Sequence, residues 1–220
     1  NITRQRLLYG NFEYDDSPQK LMRYDAIQDL LTNAVGELPN KFLINDIARF
    51  GGDKIILGEW KGFSLIGLEV YTYQGIEATK EKIKERAKVS KIPYSQILSD
   101  EDGVGGGVVD GLPGTKGFIG NSQPLDACDA IRGRKTLANF SNLRSQCHFK
   151  LAEMVNTHLI NISLQYFKTN IEGYTQEQAV SNLLEELDAI KEVTITSQNA
   201  KKAVIPKEVI KQEIGRSPDF

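Results

Sequence analysis

Three apolar runs separated by short turns, between residues 41 and 73, constrain this chain more than any other stretch of it. The first is Lys41-Phe42-Leu43-Ile44-Asn45-Asp46-Ile47-Ala48. Gly51-Gly52-Asp53 divides it from a second run, Lys54 to Trp60, and Lys61-Gly62 divides that from a third, Phe63 to Tyr73. Turns this short between β-rich runs lay successive strands antiparallel, as a meander. Beyond Tyr73 helical and β-like segments alternate. Residues 76 to 90 place Ile76, Ile83 and Ala87 on one face and Glu77, Lys80, Glu81, Lys84, Glu85 and Lys88 elsewhere, the pattern of a helix with a solvent-facing side. Pro93 closes it. Tyr94 to Ser99 reads as a strand running into Asp100-Glu101-Asp102-Gly103-Val104-Gly105-Gly106-Gly107, a glycine-permitted turn into a helix, and Lys116 to Gly120 reads as one more short strand. Three strands, helix, strand, helix, strand is the order of an α/β fold with a mixed sheet.

The flanks read as helical. Asp16-Ser17-Pro18 ahead of Leu21, Tyr24, Ile27, Leu30, Leu31 and Val35 predicts a helix over 18–35, with a cap, a first-turn proline and an apolar stripe. Asn121 to Thr136 is polar and turn-rich, with Arg132, Arg134 and Lys135 clustered, and predicts a mobile basic loop. A long helix is expected over 138–158, with Phe140, Leu143, Cys147, Leu151, Met154 and Val155 on one side. Thr175 and Gln178 form a capping-box pattern ahead of Ala179, Leu183, Leu184, Leu187 and Ile190. Residues 194 to 214 mix short β-like pieces with lysines.

Composition removes several alternatives. With 220 residues, 40% of them hydrophobic, the chain can bury one substantial core, and one domain with short appendages is expected. Its 27 basic and 29 acidic residues nearly cancel, so any contact with nucleic acid must come from a local basic patch. Arg132, Arg134, Lys135 and Arg216 are the candidates for that patch, with Lys201, Lys202, Lys207 and Lys211 nearby in sequence. Only two cysteines occur, Cys128 and Cys147, without a Cys/His pair at metal-finger spacing, so neither a disulfide framework nor a structural zinc site is indicated and a reducing compartment fits. No apolar run approaches the roughly 18 residues that cross a bilayer, and no signal-peptide core opens the chain. Cys147 is expected in the core. A dyad with His148 is excluded because adjacent helical positions diverge, and His148 and His158 read as structural.

The chemistry centres on Asp46 and Asp100. Each stands at the end of a strand, and carboxylates at the ends of neighbouring strands converge on one point of a sheet. Such a point suits a hard cation: Mg²⁺ and Mn²⁺ prefer oxygen ligands, and two of them can activate water and stabilise the leaving oxygen of a phosphodiester. Taken singly, an aspartate beside glycines reads as a turn former. Taken together in this topological order, the two favour a metal site. The glycine-rich stretch after Asp100 lacks the Lys-Ser/Thr ending of a phosphate-binding P-loop, and its three acids would repel a phosphate unless cations intervened.

These residues resemble a known family, the C-terminal nuclease domain of the large terminase subunit of tailed bacteriophages, whose fold is like that of ribonuclease H. Asp46-Ile47-Ala48-Arg49-Phe50-Gly51-Gly52-Asp53 is similar to the family's first-strand motif, which makes Asp46 the central ligand and Asp53 a turn or supporting residue. Asp100-Glu101-Asp102-Gly103-Val104-Gly105 is similar to its Asp-x-x-Gly-x-Gly element, which makes Asp100 the second ligand with Asp102 as understudy. Gly215-Arg216-Ser217-Pro218-Asp219 resembles the start of a Ser-Pro-Asp-x-x-Asp helix that brings a third acid, so Asp219 or a residue past Phe220 fills that role. The resemblance implies three antiparallel strands followed by parallel strands, flanked by helices. It also implies a two-metal endonuclease, with Mg²⁺ or Mn²⁺, acting on concatemeric double-stranded viral DNA in the cytoplasm of a bacterial host. An ATPase domain of the same polypeptide, a portal protein and a small terminase subunit are the implied partners. The absence of an initiator methionine and the break inside the last motif suggest an excised domain, with residues 1–40 as a connector from the ATPase and 41–220 as the nuclease. A resolvase or integrase-like nuclease of the same fold, or a non-catalytic module docking on DNA or a portal, would share many of these features.

Overall fold

A computed structural model describes residues 19–36, 38–47, 54–72, 75–102, 105–125, 127–128, 135–136, 139–167, 171–193 and 201–218. The chain groups into two compact units. One comprises residues 30–120 and 159–183; the other joins the residues before Leu30 to 121–158 and 184–218.

The first unit is built on a six-stranded sheet. Strands β1 (Lys41–Asp46), β2 (Lys54–Lys61) and β3 (Ser64–Thr72) form the expected antiparallel meander. β4 (Ile97–Asp100) and β5 (Lys116–Phe118) then add to the β1 edge in parallel. Next in the chain, β6 (Ala127–Cys128) and β7 (Lys135–Thr136) pair with each other as a separate ribbon. The two-residue β8 (Asn161–Ile162) returns to the sheet, pairs in parallel with β3 and completes the order β5-β4-β1-β2-β3-β8. The mixed sheet read from the sequence is present. The β2–β3 reversal depends on Gly62, whose φ of 58° lies in the left-handed region, and a Cβ there would stand 2.7 Å from Leu38 Cβ.

Helix α2 (Ile76–Ser90) and the short α3 (Gly105–Gly111) cover one face of the sheet. Strand alternation aims Leu43, Ile55, Leu57 and Ile97 at that face, and Ile83, Ala87, Val108 and Leu112 meet them, all almost fully buried. Each large side chain removed from water there contributes about 1.5–3 kcal/mol. The helix presents Thr79, Ile83 and Ala87 inward, four residues apart, and its charges outward as its periodicity required. It ends at Lys91 in the left-handed conformation, two residues before Pro93.

Glu59 of β2 is also buried. Its carboxylate receives Lys41 Nζ at 3.1 Å, Arg86 Nη2 at 2.8 Å and the Ser90 hydroxyl, and Arg86 reaches on to Glu69 at 3.0 Å. Burial by itself would raise the Glu59 pKa. The Ser90 and Lys41 hydrogen bonds, with the charges of Arg86 and Lys41, outweigh it and hold the carboxyl below its ordinary range.

The second unit contains α1 (Tyr24–Asp29), α4 (Leu143–Asn156) and α6 (Lys207–Ile214), and α5 (Gln176–Asp188) is shared between the two groupings. Here several expectations change. The helix predicted over 18–35 forms only over Tyr24–Asp29. Lys20 bridges antiparallel to Lys191, and the Leu21 N–H donates to the Ile190 carbonyl, so long-range pairing claims backbone that a helix would need. Its proposed cap, Asp16 to Pro18, lies outside the described residues. Residues 94–96 make one 3₁₀ turn before β4, and the strand expected over 116–120 stops at Phe118. The long helix starts at Leu143, where Asn142 caps it by accepting from the Ser145 N–H at 2.9 Å. Cys147 is exposed on this helix, not in the core, where Ser145, Ala152 and Val155 point instead. The flanks of the basic loop are the paired strands β6 and β7. The end of the 194–214 stretch is helical, begun after Pro206 and stopped by Gly215 at φ 74°. The capping box forms as read: Thr175 N–H donates to Gln178 Oε1 at 2.9 Å, and Gln178 N–H to Thr175 Oγ1 at 3.2 Å.

Candidate metal centre

β1 and β4 run side by side in parallel, with Leu43 opposite Ile97, Ile44 opposite Leu98 and Asn45 opposite Ser99. Both strands end one residue later, at Asp46 and Asp100. Because side chains alternate, Asn45 and Ser99 turn into the core while Ile44, Asp46, Leu98 and Asp100 share the opposite face. That face opens into a cleft of about 320 Å³ lined by Ile44, Asn45, Asp46, Leu98, Asp100 and Phe118. Among the described residues, the lining carries two carboxylates and no cationic side chain. A larger concavity of about 570 Å³, lined by Lys84, Lys88, Lys91 and Tyr94 among others, contains no carboxylate and offers a hard cation nothing.

The turn after Asp100 is tightly specified. Asp100 Oδ1 accepts the Asp102 N–H at 3.0 Å, which orients the Asp100 carboxylate by a local ring. Asp102 in turn accepts the Gly120 N–H at 3.0 Å through Oδ2, tying the end of β4 to the chain just after β5. The Glu101 N–H continues the ladder to the Phe118 carbonyl at 2.9 Å. A Cβ at Gly105 would stand 1.6 Å from the Asp100 carbonyl oxygen, so only glycine lets α3 begin directly over the end of β4. Gly105, within the stretch that could have formed a phosphate cradle, therefore serves close backbone packing at this position.

Of the remaining site expectations, Asp53 and Asp219 lie outside the described residues, as do Arg132 and Arg134; Lys135 lies in the paired ribbon, with its side chain outside them. Arg216 sits against two carboxylates, Glu185 at 2.8 Å and the buried Glu186, which already occupy its guanidinium. Lys202 lies over the Phe149 ring at 5.2 Å. His148 Nδ1 is 2.8 Å from the Arg144 carbonyl, and burial lowers the ring's pKa, which makes it a neutral donor with a structural role. His158 pairs with Asp29 at 3.5 Å. Among the described residues no group of three His, Cys, Asp or Glu is arranged to hold a metal, so Asp46 and Asp100 come together without a third described ligand. Sequence reasoning overlooked the buried pair beneath them, where Asn45 Nδ2 donates to Ser99 Oγ at 3.1 Å. An asparagine at a core-facing position of an apolar strand was the available signal.

No protein-family model matches this chain, and no curated protein matches it by sequence. The sheet order and flanking helices are those of the ribonuclease-H-like fold found in terminase nuclease domains. Among solved structures, the nuclease domain of the large terminase subunit gp2 of bacterial virus Sf6 matches with a TM-score of 0.67 and 19% identity, over 91% of this chain and 94% of that one. A point mutant of the same domain, solved with manganese and beta-thujaplicinol, matches at 0.66 and 19%, and one with calcium at 0.65 and 19%, with the same coverage.

Proposed function

We propose that this chain is the nuclease domain of a phage large terminase subunit, a metal-dependent endonuclease that hydrolyses phosphodiester bonds of concatemeric double-stranded viral DNA during packaging. The observation that carries the reading is the pair of aspartates, Asp46 and Asp100, leaving adjacent parallel strands into one cleft of a terminase-nuclease fold.

The donor set fits Mg²⁺ or Mn²⁺. Both side chains offer hard anionic oxygens, and among the described residues the cleft lining has no nitrogen or sulfur ligand that would select a softer metal. Asp219 is proposed as the third ligand and Asp102 as a positioning residue that orients Asp100 through its backbone N–H. Bound there, the ions would supply a water of lowered pKa and charge stabilisation for the leaving oxygen. The cleft stays open to solvent, with Ile44 exposed and Leu98 and Phe118 half-buried beside the carboxylates, so hydrated cations and water can enter it. The same carboxylates repel a bare phosphodiester, so productive approach of DNA depends on cations between them. Arg132, Arg134 and Lys135 are proposed to hold the phosphate backbone. An ATPase domain in the same polypeptide, a portal ring, a small terminase subunit and the host cytoplasm complete the reading.

Nicking of supercoiled plasmid with Mn²⁺ tests it. The intact chain is expected to nick, and Asp46→Asn or Asp100→Asn to reduce the rate by at least about 100-fold, more than the loss of an outer partner of a ligand costs. Nicking that survives both substitutions would overturn the assignment, and preference for a branched substrate would move it to a resolvase.

A further inference from the structure

Asn45 and Ser99 are 2% and 1% exposed, in the core of the sheet. Their side chains meet across β1 and β4 at 3.1 Å, at the last paired positions before Asp46 and Asp100 turn to the other face. Asn45 Oδ1, equally buried, has no hydrogen-bond partner among the described residues. As a contribution to stability this arrangement is poor: a buried acceptor left unsatisfied is costly, and two apolar side chains of similar shape would be neutral or better. The neighbouring core positions on the same strands, Leu43 and Ile97, are apolar and fully buried.

From this we infer that the Asn45–Ser99 hydrogen bond is a positioning tie for the metal site. Resting on the metal-site reading above, it sets the lateral spacing of the two strand ends from beneath, so that the carboxylates of Asp46 and Asp100 are held at the separation a shared cation requires. Parallel ladders use slanted hydrogen bonds and are slightly less stable per residue than antiparallel ones. β4 is only four residues long, and its last pairings carry the second aspartate. A directional side-chain bond at that point fixes what apolar packing alone would leave adjustable. Neither residue touches the cation; both act through the strands.

Calorimetric titration of Mn²⁺ into the intact chain, paired with thermal melting of the metal-free protein, tests this. The double variant Asn45→Val/Ser99→Ala removes both polar groups. It is expected to melt at or above the temperature of the parent yet bind Mn²⁺ about 10-fold more weakly, the low end of the cost of losing an outer partner of a metal site. The single variant Ser99→Thr, which keeps both Asn45 and a hydroxyl acceptor, is expected to bind Mn²⁺ within about twofold of the parent. Parent affinity in the double variant overturns the tie, provided Asp46→Asn abolishes binding. Equal binding by the parent and Asp46→Asn would instead overturn the metal-site reading itself. A double variant that melts well below the parent and loses affinity only in proportion, with Ser99→Thr weakened alike, would make the pair merely structural and also overturn the inference.

Discussion

Glu59 and Asp46 stand on adjacent strands of one sheet, and the chain treats their carboxylates in opposite ways. Around Glu59 it gathers Lys41, Arg86 and Ser90, so a buried charge is matched within hydrogen-bond distance on several sides. Around Asp46 it provides a second carboxylate, an apolar floor and an opening to solvent. The contrast separates two uses of the same functional group. A buried acid matched by two cations and a hydroxyl fastens α2 to the meander, whereas two acids lining one cleft at adjacent strand ends suit the capture of a cation. Lys41 and Asp46 mark the two ends of β1, so a single six-residue strand carries both arrangements.

Breaking the acidic end gives the largest expected effect, the loss of Mn²⁺-dependent nicking on substitution of Asp46 or Asp100. Metal-free Asp46→Asn is expected to fold normally, because the side chain is exposed. Next comes Gly105→Ala, whose new methyl group meets the Asp100 backbone and cannot be relieved by a side-chain rotation. It is expected to lower stability by about 3 kcal/mol in urea unfolding, the upper range for overpacking, and to weaken Mn²⁺ binding with it. Glu59→Gln ranks third, at about 2 kcal/mol, because it leaves Arg86 and Lys41 facing a neutral group while keeping an acceptor for Ser90. Its pH signature has a definite sign. A folded-state pKa below the ordinary 4.5 gives the native protein stability that is fully present above that value and lost as pH falls through the folded pKa. Unfolding measured from pH 7 downward should therefore show a steeper acid loss in the parent than in Glu59→Gln. The smallest effect is expected for Asp102→Asn. If Asp102 positions the turn by accepting from Gly120, an amide oxygen can still do so, and nicking should change by no more than about threefold, within the factor by which single contacts vary with context. A loss as large as that of Asp100→Asn would make Asp102 a ligand.

The reach of sequence reasoning differs between the two units for a physical reason. The meander and the strand-terminal aspartates arise from local spacing, short turns and period-two alternation, whereas the parallel placing of β4 and β5 beside β1 was implied by the family resemblance. The second unit depends on pairings far apart in the chain. Lys20 with Lys191 and Phe140 with Lys202 are bridges that no local pattern announces, and the first of them shortened a helix whose apolar stripe was real. Cys147 belongs to the stripe in sequence but faces out, because the crowded side of α4 is the one bearing Ser145 and Ala152. The terminal helix did carry its signals, Pro206 before it and Gly215 after it, beneath a lysine-rich composition. The two carboxylate partners of Arg216, Glu186 and Glu185, are 30 and 31 residues away, so no local pattern announced them. At the site itself, Asp46 and Asp100 were legible as strand ends, while the Asn45–Ser99 tie required the register of β1 against β4.

The most direct test of the central claim is an anomalous-scattering crystal structure of the chain soaked in Mn²⁺ at a concentration that supports nicking. The account predicts a manganese peak within about 2.0–2.3 Å of carboxylate oxygens from both Asp46 and Asp100, an oxygen-ligand distance for a cation of this class. A well-ordered cleft with no peak between these two residues would contradict it.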